Sequence, residues 1–300
     1  MKYSVESVVK GLTELNYVFT SSNQQSDGEY SLSDVEWNYN DVPHLGEVHE
    51  LAEAVQCVVE DNHTTSILIQ KLGPFRFPII VNIYSLSATE NFYFTAFGPF
   101  VLLVKTSWTT ENNRTIVVTR YFLGSSKFLK LSHKLIHLVV ARNYRFLMEA
   151  DLPMRERRGY LRSRKYSFVG DLKGNSFLDS LNLFREGVIP PSDQSPVYWQ
   201  SNINAIALGT TLVGTDDNCG FRLVRIANIL EIFPRICMHA GASLDYAKLK
   251  DGCVLCPWHG KSIAPILKVD LTKDLEVHES NGVKVKLSYP NVFISGLYKN

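Results

Sequence analysis

Polar and apolar positions change period several times along the chain, and each change marks an expected element. The polar stretch "SSNQQSDGEY" predicts a mobile segment, and the alternation in "SLSDVEW" after it predicts a strand. "HLGEVHELAEAVQCVVE" carries apolar residues at helical spacing among good helix formers and predicts a helix. Five β-rich runs follow: "TSILIQK", "FPIIVNIYSLS", "ENFYFTAF", "PFVLLVKTSWT" and "RTIVVTRYFL". Gly, Pro and Asn punctuate them, as turns between antiparallel strands require. Ser125 or Ser126 then caps a long helical pattern, "KFLKLSHKLIHLVVARNYRFLMEADL", which Pro153 is expected to end. A curved sheet with one long final helix is an α+β domain able to enclose an apolar pocket. The polar, Pro-containing "REGVIPPSDQSPVYW" separates it from short β runs in the last hundred residues. The expected division is a first domain over 1–184, a linker over 185–198 and an all-β domain over 199–300.

Composition narrows the function classes. A chain of 300 residues is long for one core, so two domains are expected, and its apolar share of 45% is that of a globular protein. A net charge of +1 argues against nucleic acid as an electrostatic partner. No apolar run has the length of a membrane span. The start of the sequence lacks the layout of a secretory signal, and five cysteines do not make a disulfide scaffold, so a cytoplasmic protein is expected.

The chemistry concentrates in "CMHAGASLDYAKLKDGCVLCPWHG", residues 237–260. Cys237 and His239 form C-x-H, Cys256 and His259 form C-x-x-H, and sixteen residues lie between the pairs. Two thiolates and two imidazoles could hold a tetrahedral zinc. Zinc pairs more usually segregate their ligand types, whereas here each loop supplies one sulfur and one nitrogen. That division suits a [2Fe–2S] cluster with both thiolates on one iron and both imidazoles on the other. "CMHAGASL" and "CPWHG" resemble the two ligand loops of Rieske proteins, including the Pro, the aromatic residue and the Gly. The respiratory type adds a cysteine to each loop; here the first loop has none, and the resemblance is to the lower-potential type of ferredoxins and oxygenases. Cys57, Cys219 and Cys253 are expected to be plain thiols.

A second motif explains a chain this much longer than a ferredoxin. "WNYNDVPHLGEVH" contains Asn38-x-x-Asp41-x-x-His44-x4-His49, which resembles the N-x-x-D-x-x-H-x4-H motif of Rieske non-haem iron oxygenases. The resemblance implies that His44 and His49 bind a mononuclear Fe(II), completed by a carboxylate into a facial triad with open positions for O2 and substrate. Asp151, in "EADLPMRE", is the expected third ligand, with Glu149 as the alternative. Five residues place the two histidines about 140° apart on an ideal helix, so the backbone must depart from helix there, and Pro43 and Gly46 are suitably placed. The resemblance also implies that Asp41 links the two metal centres across a subunit boundary in a head-to-tail trimer. Read without it, Asp41 is a helix cap. His133 and His137, an i,i+4 pair on the long helix, are a possible metal pair, but with no carboxylate at a matching spacing they are expected to be a packed or half-exposed pair.

The resemblance as a whole implies a helix-grip (START/SRPBCC-like) catalytic domain followed by the Rieske domain, the reverse of the family's usual order. It implies an oxygenase that hydroxylates or demethylates an apolar substrate, with electrons from an external NAD(P)H-dependent reductase or ferredoxin. Ile80, Phe92, Phe94, Phe97, Phe100, Leu102 and Trp108 are candidates to line the cavity, although alternating aromatics in a sheet are usually core. Arg155, Arg157, Arg158, Arg162, Arg164 and Lys165 could dock an acidic partner, but a solvated face is the favoured reading of such a run. The competing expectation is a non-catalytic electron-transfer or ligand-binding protein with a degenerate mononuclear site.

Overall fold

The computed structural model describes residues 4–41, 44–49, 52–60, 63–72, 74–169, 187–216, 220–274 and 276–298. It divides into two compact units, Met1–Tyr160 with Gly170–Arg185, and Leu161–Val169 with Glu186–Asn300. The expected linker therefore contributes its described part, from Gly187 on, to the second unit. Pro43 and Cys219 lie outside the described residues.

The first unit is a seven-stranded antiparallel sheet. Its strands are β1 (Tyr17–Gly28), β2 (Ala52–Glu60), β3 (His63–Leu72), β4 (Phe75–Ser87), β5 (Glu90–Phe97), β6 (Phe100–Glu111) and β7 (Arg114–Ser126), in the order β1-β7-β6-β5-β4-β3-β2. Helix α1 (Val5–Glu14) precedes the sheet. Helices α2 (Leu32–Asn40) and α3 (His44–Val48) interrupt it after β1, and the long helix α4 (His133–Ser163) follows it. This is the expected helix-grip arrangement of sheet and long helix.

Four local expectations change. "SSNQQSDGEY" is not a free segment: it forms most of β1, paired with β7 from Tyr17↔Ser126 to Gly28↔Thr115. Its polarity suits an edge strand, where outward polar side chains deter further pairing. "SLSDVEW" is helical because Ser31 and Asp34 form a capping box, each side chain bonded to the other's backbone N–H. Leu32, Val35 and Tyr39 then share one face, packed with Trp108 and Val117. "HLGEVHELAEAVQCVVE" splits: the helix stops at Val48, and residues from Ala52 pair with β3 instead. Strand pairing overrides helix propensity there.

Pro153 lies inside α4 rather than at its end. A proline costs the helix one backbone bond. The flanking turns are fixed independently, since Met154, Arg155, Arg158 and Leu161 are all buried. Gly159 allows α4 to approach the chain just before α2; an added Cβ would lie 2.2 Å from the Glu29 carbonyl oxygen.

The second unit begins with the two-stranded pair β8 (Ser167–Phe168) and β9 (Val188–Ile189). Strand β10 (Val197–Asn202) pairs with β20 (Asn291–Gly296), which continues to β19 (Val283–Ser288) and β18 (Val277–Ser280). A second sheet orders β11 (Gly209–Val213), β12 (Phe221–Ile226), β13 (Ile229–Pro234) and β17 (Leu267–Asp270). One apolar core joins the two, with Phe221, Leu223, Leu230 and Ile232 from one sheet and Val283, Val285, Val292 and Ile294 from the other. A small sheet of β14 (Leu249–Lys250), β15 (Cys253–Leu255) and β16 (Ser262–Ile263) completes the unit. The expected fold class, α+β followed by an all-β domain, describes what is found.

Candidate functional sites

In the second unit the paired residues sit on two loops built to one plan. The first leaves β13, and the second is the tight connection from β15 to β16. In the first, Cys237 N–H donates to Ala242 O (2.8 Å) and Gly241 N–H to Cys237 O (2.8 Å). In the second, Cys256 N–H donates to Lys261 O (2.9 Å) and Gly260 N–H to Cys256 O (2.9 Å). Gly241 and Gly260 take φ of +97° and +61°, the left-handed region in which glycine avoids the Cβ clash. The repeated turn aims both sulfurs inward.

Donor atoms of Cys237, His239 and Cys256 lie within 4.8 Å of one another, and the His239 and His259 rings are 4.5 Å apart. Both cysteines are buried and both histidines half-buried, so the sulfur side is shielded while the imidazole side reaches toward solvent. The bond to Cys256 pulls the Cys237 thiol down to about 7, aided by the N–H groups of His239 and Ala240, and the same bond pushes Cys256 up to about 11. A thiol held that low ionises readily, as a metal-binding sulfur must. Soft thiolates and borderline imidazoles, paired as the loops pair them, fit the Rieske donor set.

Two arginines that the sequence reading passed over hold the first loop at its base. Arg235 donates to both oxygens of Asp245 (2.7 and 2.5 Å) and to Gly214 O; Arg222 donates to Leu244 O (2.6 Å) and Ala247 O (2.7 Å). The usable signal was a charged residue at a buried position in otherwise apolar "FRLVRI" and "FPRIC".

In the first unit, His44 opens α3 and His49 follows its last residue, Val48. Because the helix ends between them, the two rings come to 5.3 Å, edge to face, instead of diverging on a regular helix. Asp151, on α4, places one oxygen, Oδ1, 3.3 Å from His44 Nε2 and 2.9 Å from His49 Nε2. The three residues are buried, and their donor atoms all lie within 4.8 Å of one another. Glu149 is exposed and does not join them.

The protonation pattern is informative. His44 Nδ1–H donates to the Asp41 carbonyl oxygen, and the Asp41 carboxylate lies 3.7 Å from the same nitrogen. A neutral His44 then turns a lone pair on Nε2 toward a carboxylate oxygen, and Nε2 has no hydrogen-bond partner. Two acceptors face each other across 3.3 Å, an arrangement that a cation between them resolves. A proton is one such cation. Burial lowers the His44 pKa, but Asp151 outweighs it and leaves the ring above its ordinary value. Burial raises the Asp151 carboxyl, but His44 and His49 outweigh it and hold the group well below the usual carboxylate range. A divalent metal is the other such cation, and two imidazoles with one carboxylate are the donors it would take.

The site opens on a cavity of about 320 Å³ whose walls include Asp41, His44 and Asp151. Leu68, Ile79, Val81, Ile83, Phe94, Leu102, Val104, Leu147 and Met148 supply most of its apolar surface, with Tyr39, Tyr93, Tyr121 and Tyr144 among the polar lining. Of the expected lining residues, only Phe94 and Leu102 are there. Strand alternation explains Ile80, and the other four lie elsewhere along their strands. Ile80 points outward, between the inward Ile79 and Val81; Phe92 packs with Val5 and Leu103 in a separate cluster; Phe97 stacks on Phe100; and Trp108 lies against Tyr39.

His133 and His137 are a packed, hydrogen-bonded pair rather than a metal pair. The Ser125 hydroxyl donates to Ser126 O (3.0 Å), so it accepts from His133 Nε2–H (2.7 Å). Thr20 O–H then donates to His133 Nδ1 (2.8 Å) and accepts from His137 Nε2–H (2.9 Å), and Ser22 O–H donates to His137 Nδ1 (2.8 Å). Every ring nitrogen is used, and burial, the main cause, lowers the pKa of both rings and favours their neutral forms. The expected basic face shrinks. Arg155 is buried, donating to Asn38 Oδ1 (2.8 Å) over the Tyr39 ring, and Arg158 is buried, donating to Asp34 Oδ1 (2.9 Å) over Trp37. They share an inward helix face with Asp151.

Residues 205–273 match the sequence family described as the Rieske [2Fe–2S] domain, so the second unit contains such a domain, with the iron–sulfur electron transfer that it implies. A comparison with curated protein sequences finds no match. Among solved structures, the chain is similar to the di-domain aromatase/cyclase BexL of the BE-7585A biosynthetic pathway, at 8% identity and TM-score 0.42, covering 50% of this chain and 53% of that one. It thus spans about half the length of that protein. It is also similar to ZhuI aromatase/cyclase from Streptomyces sp. R1128 (14% identity, TM-score 0.40, 47% of this chain and 96% of that one). A protein from Thermus thermophilus gives 17% identity and TM-score 0.38, over 48% of this chain and 99% of that one. Among the described residues, no helix is long and apolar enough to cross a membrane.

Proposed function

We propose that the chain is a Rieske-type oxygenase, in which His44, His49 and Asp151 hold a mononuclear iron and the apolar cavity beside them receives an organic substrate. The observation that carries this reading is the single Asp151 oxygen facing two imidazole nitrogens on the wall of an apolar cavity, in a chain that also contains a Rieske domain. Iron held there supplies, when reduced, the activation of dioxygen. The chain's own residues do the rest. The Asp41 carbonyl fixes the His44 tautomer and so aims Nε2, and its carboxylate steadies the same ring. Three protein ligands on one side leave the cavity side open to substrate. Leu68, Ile83, Leu102 and Met148 exclude water and favour an apolar substrate. In the second unit, the half-buried His239 and His259 form the edge through which an external reductase or ferredoxin delivers electrons.

The test is dioxygen consumption by the reconstituted protein with a chemical reductant and a panel of apolar candidates. Substrate-stimulated uptake in the wild type, lost in Asp151→Ala with the cluster spectrum intact, is the expected result. Equal uptake in both would show that Asp151 has no part in the chemistry. A cluster-only carrier would show no substrate stimulation in either.

A further inference from the structure

Helix α4 turns one face to the cavity through Tyr144, Leu147, Met148 and Asp151. Its opposite face, with the two-turn segment Lys127–Ser132 before it, is exposed and largely apolar. Phe128 and Leu131 are 96% and 92% exposed, so both side chains stand almost wholly in solvent. Leu135, Leu138, Val139 and Phe146 continue the line for three turns of helix. Contiguous apolar exposure of this kind marks an interaction surface.

The charges alongside are of one sign. Lys127, Lys130, Lys134, Arg142 and Arg145 are exposed on the same stretch, and no acidic residue occurs between Glu111 and Glu149. We propose that this face is a docking surface for an anionic lipid bilayer, with Phe128 and Leu131 entering the acyl boundary and the lysines meeting the headgroups.

Three observations select that occupant. Bulky side chains that protrude need a partner without fixed shape, and a bilayer accepts them without complementary pockets. The lysines flank the apolar tip, where their stems can lie along it while the ammonium groups reach phosphate. A second copy pairing face to face would bring Arg142 and Arg145 against their own equivalents, a like-charge contact that costs stability. An acidic protein would satisfy the charges but would have to cover two side chains standing almost free of the surface.

The experiment is co-sedimentation of the full chain with vesicles of phosphatidylcholine alone or mixed equally with phosphatidylglycerol, with the mass in solution measured in parallel. Binding to the anionic vesicles only is expected, weakening as ionic strength rises from about 0.1 M to about 1 M and the screening length shrinks. Phe128→Ser with Leu131→Ser should lower partitioning by at least about tenfold. Lys127→Gln, Lys130→Gln and Lys134→Gln together should lower it by about 100-fold, each lysine contributing a factor of about five. The variants change exposed side chains only, and unaltered thermal unfolding of the first unit checks their folding. Several results would overturn the proposal: no binding to anionic vesicles, equal binding to neutral ones, or wild-type partitioning in the serine variant. So would a concentration-dependent oligomer abolished by the serine variant, which would make a second copy the occupant. Capture of an acidic redox protein through the same residues, without vesicle binding, would make a protein the occupant.

Discussion

Cys237, His239, Cys256 and His259 lie on two short loops of the same turn, within one stretch of chain. His44 and His49, by contrast, meet Asp151 from far along the chain, His49 across 102 residues, with the carboxylate borne on a different element. The first brings Cys237, His239 and Cys256 together with the His259 ring beside them, and shields its sulfurs. The second offers three donors and opens on an apolar cavity. A closed donor set suits a group that only gains and loses electrons, whereas an incomplete one leaves room for a reacting molecule. Local hydrogen bonds can build the closed site; the open one needs a folded domain to bring its parts together.

Each half of that contrast can be broken separately. The largest effect is expected from Cys256→Ser, which should remove the cluster and its visible absorption entirely while His44, His49 and Asp151 still bind iron. Simultaneous loss of both metals would contradict two independent sites. Asp151→Ala should do the converse, lowering iron affinity at the open site by at least about 100-fold with an unchanged cluster spectrum, as metal titration would show. Asp245→Ala leaves Arg235 buried without its carboxylate at the base of the first cluster loop, and should cost the second unit about 3–5 kcal/mol in denaturant unfolding. Asp41→Asn keeps the carbonyl that holds His44 and removes only the charge, so a loss of about tenfold in metal affinity is expected.

The smallest effect concerns the pH response of the first unit. Burial is the main cause that lowers the pKa of both His133 and His137, so the unfolded chain binds protons more readily than the folded one. Their contribution is therefore fully present above the unfolded value of about 6.5 and declines as pH falls below it. His133→Gln with His137→Gln should flatten the acid side of the stability curve, followed by thermal unfolding between neutral and mildly acidic pH. An unchanged slope would show that the hydroxyl chain does not set it.

The same contrast explains what could be read from the sequence. The cluster loops were legible because spacing within one segment specifies them: Cys237 to Gly241 and Cys256 to Gly260 are the same turn written twice. His44 and His49 were legible as a motif, and the angle between them required a break in the helix, but its place after Val48 was not legible in "HLGEVHELAEAVQ". Local propensity and pairing conflict there, and pairing with β3 prevails. The Ser31-x-x-Asp34 capping box was in the sequence and outweighs the apparent alternation around it. Asp151 and Arg155 share an inward face of α4 that helical spacing implies, yet only the folded domain shows that Asn38 and the two histidines face it. Ile80 was misassigned for a simpler reason. Alternation on β4 puts Ile79 and Val81 inside and Ile80 outside, and the sequence does not say which parity is inward.

The most direct measurement is the iron and acid-labile sulfide content of anaerobically reconstituted protein, compared with Asp151→Ala prepared identically. The account predicts one iron beyond the two of the cluster in the wild type, and loss of that one alone in the variant, with sulfide unchanged. Wild-type protein holding only the cluster's iron would contradict it.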